Sequence, residues 1–305
     1  MVLRKTKRAT GGHLRSYWML YAMAVPGVVW LVLFRYIPMM GSIIAFQEYQ
    51  IFRGFLQSPW VGLAHFQRLF ASPDFYRVFR NTLILGFYNV FLTFPIPVAL
   101  AVLINEVQRV TIKRGIQTVL YLPHFFSWVI IAGLTFNLLS LNGPVNSLVK
   151  LLGHSPVLFM QRESLFRFIV TAAGVYKEAG WGTIVFLAAI AGIDPQLYEA
   201  GMLDGANRAQ RIVHITVPCI LPTAVILLLL RIGNFMNLGF DRIYNFLTPI
   251  TYSVGDIFDT YVFRVGITHG HYSFTTAIGL FQSAIGLVLI WGFNRLSRRV
   301  SGGLW

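Results

Sequence analysis

Charge is scarce in this chain of 305 residues: Asp, Glu, Lys and Arg make up 12% of it, about half of what a soluble globular domain carries. Together with 56% hydrophobic residues and a mean hydropathy of +0.64, that shortage excludes an ordinary water-soluble fold. Acids are scarcer still, 11 against 25 Lys and Arg, giving a formal net charge of +14. The bases gather at the ends of apolar runs, where they orient helices in a bilayer, so the excess is not read as a nucleic-acid footprint. The single cysteine, Cys219, excludes an internal disulfide and reads as a small packing residue opening an apolar run. No G-x-x-x-x-G-K-[ST] loop is present, so the chain is expected to bind no nucleotide itself. His269-x-His271 has no carboxylate or cysteine spaced to complete a metal site. No nucleophile–base constellation stands out, so no catalysis is expected. Internal repeats of 20–50 residues and low-complexity tracts are also missing.

What is abundant is long apolar runs. Each stretch of 18 or more apolar residues reads as a membrane-spanning helix. Six are expected, at about 17–46, 81–104, 116–139, 166–193, 217–238 and 276–293, in one all-α membrane domain covering 1–305. The amino end, with Arg4, Lys5, Lys7, Arg8 and Arg15 before an apolar run, resembles a signal peptide. Its cleavage-like Ala22-Met23-Ala24 lies inside the run, so the run reads as an uncleaved first span. Pro26 and Pro38 should kink that span, and Pro95 and Pro97 should bend the second. The stretch 47–80 is too polar to span; Ser72-Pro73-Asp74 marks a helix start in it, and short helices on the outer surface of the bundle are expected. Asn142-Gly143-Pro144 marks a turn. Lys and Arg are densest in the two termini, the 106–114 turn and the 194–218 stretch, which the positive-inside rule therefore makes cytoplasmic.

One polar stretch, DPQLYEAGMLDGANRAQRIVHITVP at 194–218, separates the fourth and fifth runs. Asp194-Pro195 reads as an N-cap followed by proline at the first helical position, opening a short helix to about Leu203. Gly205 permits a left-handed turn, and a second helical piece from Asn207 leads into Pro218. The expectation is a helix–glycine–helix elbow over 194–216 lying along the cytoplasmic face.

Here a resemblance enters. Glu199-Ala200-Gly201, then three residues, Gly205, nine residues, Ile215, one residue and Val217-Pro218 resembles the EAA signature of binding-protein-dependent ABC importer permeases. Gly201 replaces the second alanine of that signature and Val217 its leucine. Asn81-Thr82-Leu83, the run from Leu122 to Trp128, Lys177 to Trp181, Phe240-Asp241 and the closing Gly303-Leu304-Trp305 are similar to the carbohydrate-uptake branch, including permeases for oligosaccharides and for alginate. The resemblance implies a type I importer of six-helix permeases, in which a second homologous permease, two ABC ATPase subunits carrying Mg-ATP, and an extracytoplasmic solute-binding protein are partners. It implies that Glu199, Ala200, Gly201, Asp204, Gly205, Ile215 and Pro218 couple this chain to the ATPase, and that the chain sits in the bacterial cytoplasmic membrane with both termini inside.

Sugars are held by aromatic faces and planar polar groups. The pathway candidates at membrane depth are Tyr176, Lys177, Glu178, Trp181, Arg231, Asn234, Asn237 and Asp241. Lys177 and Glu178 are neighbours in sequence and point to different faces of a helix, so each should have its own partner. Asn234 and Asn237 are placed to share one helical face. Hydrogen bonding between helices is the plainer role for any of these groups. Lys177, Glu178 and Arg231 leave a surplus of one positive charge, a lean toward an anionic glycan. The alternatives are a secondary transporter with an ion-coupling site at Lys177 and Glu178, separable by uptake on an ion gradient without an ATPase, and a membrane enzyme acting on glycans or lipids.

Overall fold

The computed structural model describes residues 17–301, with side chains through 295. The basic residues Arg4, Lys5, Lys7, Arg8 and Arg15, the side chains of Arg298 and Arg299, and Gly303-Leu304-Trp305 lie outside the described residues. Among the described residues every regular element is a helix, with one isolated backbone bridge between Gln47 and Trp60.

Five helices are long and apolar enough to cross a membrane: Trp18–Phe46, Pro73–Asn105, Trp128–Leu151, Arg208–Gly233 and Tyr272–Arg295. The helix Glu163–Ala191 reaches the same length and apolarity only together with Pro195–Leu203, from which it is bent by 69°, and counts as a sixth span when the pair is taken as one. Proline dictates much of the local geometry. It lacks an N–H, and its ring clashes with the carbonyl four residues back. Widened π-turns at Val32–Tyr36, Tyr88–Leu92 and Ile212–Thr216 end with one or two residues intervening before Pro38, Pro95 and Pro218, where a wider turn accommodates the missing bond within the span.

Three expected spans differ. The second begins at Pro73, not near 81, and is one span to Asn105. The polar residues read as surface structure are its first turns: Asp74 and Arg77 pair at 2.8 Å on the outer side, while Phe75, Val78, Asn81 and Thr82 are buried. The third is not one helix over 116–139. It breaks between Val110–Tyr121 and Trp128–Leu139. Pro123 turns the chain through a short 3-10 segment, Leu122–Phe125, and Ser127 then caps the new helix by accepting from the Ile130 N–H at 3.3 Å. The fifth span ends at Gly233, with Asn234 as its C-cap, and not at 238.

The fourth helix, Glu163–Ala191, is the hub. Phe166, Ile169, Val170 and Ala173 pack with Leu85, Ile131 and Phe246 in one apolar cluster, and Phe186 and Ile190 pack with Ala101 and Ile220 in another. Small residues let the backbones close in. A Cβ at Gly180 would lie 1.9 Å from the Leu120 carbonyl oxygen. The segment after the fifth span folds back on the second. Asn81 donates to the carbonyls of Ser253 and Asp256 at 3.2 and 3.1 Å. The fully buried Asp256 carboxylate accepts from Thr260 and from the Arg264 guanidinium. The first span, by contrast, has no buried residue before Ala45.

Candidate functional site

Two places concentrate polar chemistry: the elbow after the fourth span and a cavity enclosed by the second to fifth spans.

At the elbow, the Asp194 carboxylate accepts from the Gln196 N–H at 2.9 Å and Pro195 opens the helix Pro195–Leu203. It ends in a Schellman motif: the Gly205 N–H donates to Met202 and the Ala206 N–H to Gly201, with Gly205 at φ +79°. Asn207 restarts the chain through a capping box, its side chain accepting from Gln210 N–H at 2.9 Å and its own N–H donating to Gln210 Oε1 at 2.8 Å. The two limbs touch. Gly201 faces Ile215, whose Cδ1 would lie 3.1 Å from a Cβ at 201, and the Tyr198 and Thr216 hydroxyls are hydrogen-bonded at 2.9 Å. Leu197, Ala200, Gly201, Asp204, Gly205 and Ile215 line one hollow of about 460 Å³. Glu199 and Pro218 are exposed outside it, and Leu203 is 90% exposed.

The cavity measures about 640 Å³. Lys177, Glu178, Trp181, Arg231, Asn234 and Asn237 line it. Tyr176 and Asp241 do not: Tyr176 is 55% exposed one helix step away from Lys177, and Asp241 is exposed at the start of the short helix Phe240–Tyr244. Asn234 and Asn237 are not on a helical face but in the turn beyond it, with the Asn237 N–H donating to the Asn234 carbonyl at 2.9 Å. Helix geometry does separate Lys177 from Glu178. The Lys177 ammonium donates to the carbonyls of His124, at 2.7 Å, and Phe126. These are carbonyls that the break in the third span leaves free of helix. Glu178 instead faces Arg231 at 3.7 Å.

Five polar or aromatic cavity residues were outside the sequence-derived candidates: Asn89, Thr93, His124, Trp128 and Arg242. Arg231 donates to Asn89 Oδ1 at 2.9 Å and to Thr93 Oγ1 at 2.8 Å, and Arg242 donates to the same Asn89 oxygen at 3.0 Å. Asn89 and Thr93 stand four apart in the apolar stretch of the second span that follows Thr82, a spacing that puts both on one face. Lys177 Nζ and Arg242 Cζ lie 5.6 and 5.7 Å from the ring of Trp128, within cation–π range. His124 stacks on Trp181 with ring centroids 4.6 Å apart and planes within 7°. The arrangement offers an aromatic shelf, three carboxamides and a set of cations: groups suited to binding a polar solute.

Residues 69–302 match the family of binding-protein-dependent transport system inner membrane components. The chain belongs to this family. As a transport permease it is a membrane-spanning component of an importer and not a catalytic enzyme. Protein LplB of Bacillus subtilis (strain 168) is 44% identical to this permease over 286 residues, covering 93% of this chain and 90% of that protein. The polygalacturonan/rhamnogalacturonan transport system permease protein YteP of the same organism is 45% identical over 281 residues, covering 92% and 88%. Among solved structures, a chain of a bacterial ABC transporter involved in the import of the acidic polysaccharide alginate superposes with a TM-score of 0.88 at 40% identity, covering 95% of this chain and 98% of that one. The alginate transporter in complex with a pentasaccharide-bound periplasmic protein contains a chain that superposes with a TM-score of 0.89 at 39% identity. Transport in this family depends on a binding protein, which supports the ABC importer reading and not the ion-coupled alternative.

Proposed function

We propose that this permease passes an oligosaccharide or polysaccharide fragment across the bacterial cytoplasmic membrane by alternating access, as one of two homologous permease subunits driven by two separate ABC ATPase subunits. Mg-ATP is bound and hydrolysed on those subunits, and this chain holds no cofactor. An extracytoplasmic binding protein delivers the saccharide. The sugar-permease relatives and alginate-importer neighbours support the substrate class. The aromatic and carboxamide groups of the cavity supply the contacts that sugars require.

One observation carries the coupling mechanism: a capped helix, Pro195–Leu203, bent 69° from the fourth span and tied back to the base of the fifth through Tyr198 and Thr216. Its exposed face, with Glu199 and Leu203, is free to seat in a cleft of an ATPase. Closure of the ATPase pair would move the elbow, and the attached spans would swing the bundle between inward- and outward-facing states. In this reading both termini and the elbow are cytoplasmic.

The test is cysteine cross-linking along 197–207 in the assembled complex, together with ATP hydrolysis and saccharide uptake by a Glu199→Ala variant. Capture of an ATP-hydrolysing subunit, and hydrolysis uncoupled from uptake in the variant, are expected. Labelling of 197–207 from the extracytoplasmic side, or an unchanged ratio of hydrolysis to uptake, overturns the coupling role.

A further inference from the structure

The sequence counts one surplus positive charge in the pathway, but folding raises it to two. Among its described lining residues the cavity holds Lys177, Arg231 and Arg242 against the single carboxylate of Glu178. Arg242 follows the fifth span by nine residues, and only the return of the chain toward the fourth helix brings it in. It is 6% exposed. The fourth helix makes room for it at Gly174, where a Cβ would lie 2.2 Å from Arg242 Nη2.

These cations are poorly neutralised. Glu178 approaches Arg231 at 3.7 Å, and its side chain is 41% exposed. Among the described residues no carboxylate lies within 4.0 Å of Arg242 or Lys177. At the point where Arg231 and Arg242 converge, the shared acceptor is the neutral oxygen of Asn89. One oxygen thus serves two guanidiniums, and Arg242 Nε is buried with no hydrogen-bond partner. That nitrogen packs against Gly174 and is closed to a solute, but two guanidiniums sharing one neutral acceptor on a solute cavity are an incomplete arrangement. It is completed by an acceptor carrying negative charge, which guanidinium groups bind with strong, charge-assisted hydrogen bonds.

We propose that Arg231 and Arg242, converging on the neutral oxygen of Asn89, form an anion subsite that takes the acidic group of an anionic saccharide. The carboxylate of a uronic acid unit and a phosphate ester share the required chemistry. Asn89 is the specificity-determining residue: as a carboxamide it orients both guanidiniums and leaves their charge for the substrate. Trp181 and the carboxamides of Asn234 and Asn237, which also line the cavity, are left to meet the neutral parts of the sugar. This rests on the saccharide-import reading above.

The experiment uses the whole importer, purified with its associated subunits and binding protein and reconstituted in proteoliposomes. ATP-dependent uptake is measured for an oligouronate, a phosphorylated oligosaccharide and a neutral oligosaccharide of equal length. The wild type is expected to move one of the anionic probes in preference to the neutral one, and the probe preferred identifies the acidic group. Asn89→Asp places a carboxylate of the chain's own between the two arginines. It should cut uptake of the preferred anionic probe by at least about tenfold, the size of one charge-assisted contact. Adding Glu178→Gln to Asn89→Asp restores the net charge and should recover part of that loss, which a variant that merely misfolds does not show. Preference for the neutral probe in the wild type overturns the subsite and leaves saccharide import standing. So does equal uptake of anionic probe by wild type and Asn89→Asp. Uptake of no saccharide at all overturns the import reading, and this inference with it.

Discussion

The ammonium of Lys177 donates to the carbonyl oxygen of His124 at 2.7 Å, and so closes the gap that Pro123 opens in the third span. The lysine is 9% exposed and also reaches the Phe126 carbonyl. Lys177→Met keeps most of the apolar stem but leaves two carbonyls unpaired at membrane depth. A loss of about 2–3 kcal/mol is expected, measured as a lowered midpoint of thermal unfolding in detergent. An unchanged midpoint would show that water or lipid replaces the ammonium.

Gly205 stands at φ +79° where the elbow reverses, with nothing within 4 Å of a Cβ built there. Space is therefore not the constraint; the backbone is. Gly205→Ala should cost about 1–2 kcal/mol locally and loosen the hand-over from the short helix to Asn207. Membrane insertion should be normal while saccharide uptake per ATP falls. An unchanged ratio would mean that the turn needs no left-handed residue.

Gly180 touches the Leu120 carbonyl, and the obstacle is backbone that cannot rotate away. Gly180→Ala must push the fourth helix from the end of the helix Val110–Tyr121. Poor yield of folded protein and a strongly lowered unfolding midpoint are expected. Gly133→Ala, in open space at a comparable helical position, is the control and should be tolerated.

Asp259, between the fifth and sixth spans, has its pKa raised by burial, against the lowering effect of hydrogen bonds from Gln282 and from the backbone of Gly239 and Leu238. The folded state therefore holds its proton more tightly than the unfolded state does. Stability from this group is present below the unfolded carboxylate range and declines as pH rises through that range toward the folded value. Asp259→Asn removes the titration. A plot of unfolding midpoint against pH should fall less from acid to neutral in the variant than in the wild type; parallel curves would refute the assignment.

The elbow was the most legible part of the chain because its signals are local. Asp194, Pro195, Gly205 and Asn207 each act on backbone within a few residues, and the helix ends where they place it. Most of the apolar spans were legible for the same reason, since apolar length is a local property: five helices reach that length, and a sixth does so as a bent pair. Continuity was not. The start of the second span carries Asp74, Arg77 and Arg80 on its outer face, and polar residues there read as loop until the buried face opposite them is known. The cavity was half legible. Lys177 and Glu178 announce themselves as charges inside an apolar run. Asn89 and Arg242, however, are 153 positions apart, and nothing near either one marks their meeting. Asn234 and Asn237 line the cavity from a turn, because the helix that would have carried them stops at Gly233.

The bond between the Tyr198 and Thr216 hydroxyls turns a bend into a bracket. A bare loop between two rods would yield under load and pass on little of it. With its open side bridged, the segment from Pro195 to Thr216 is braced against opening. In the coupling proposed above, a thrust on its outer edge would then arrive at the foot of the fourth and fifth spans together, as torque and not as slack.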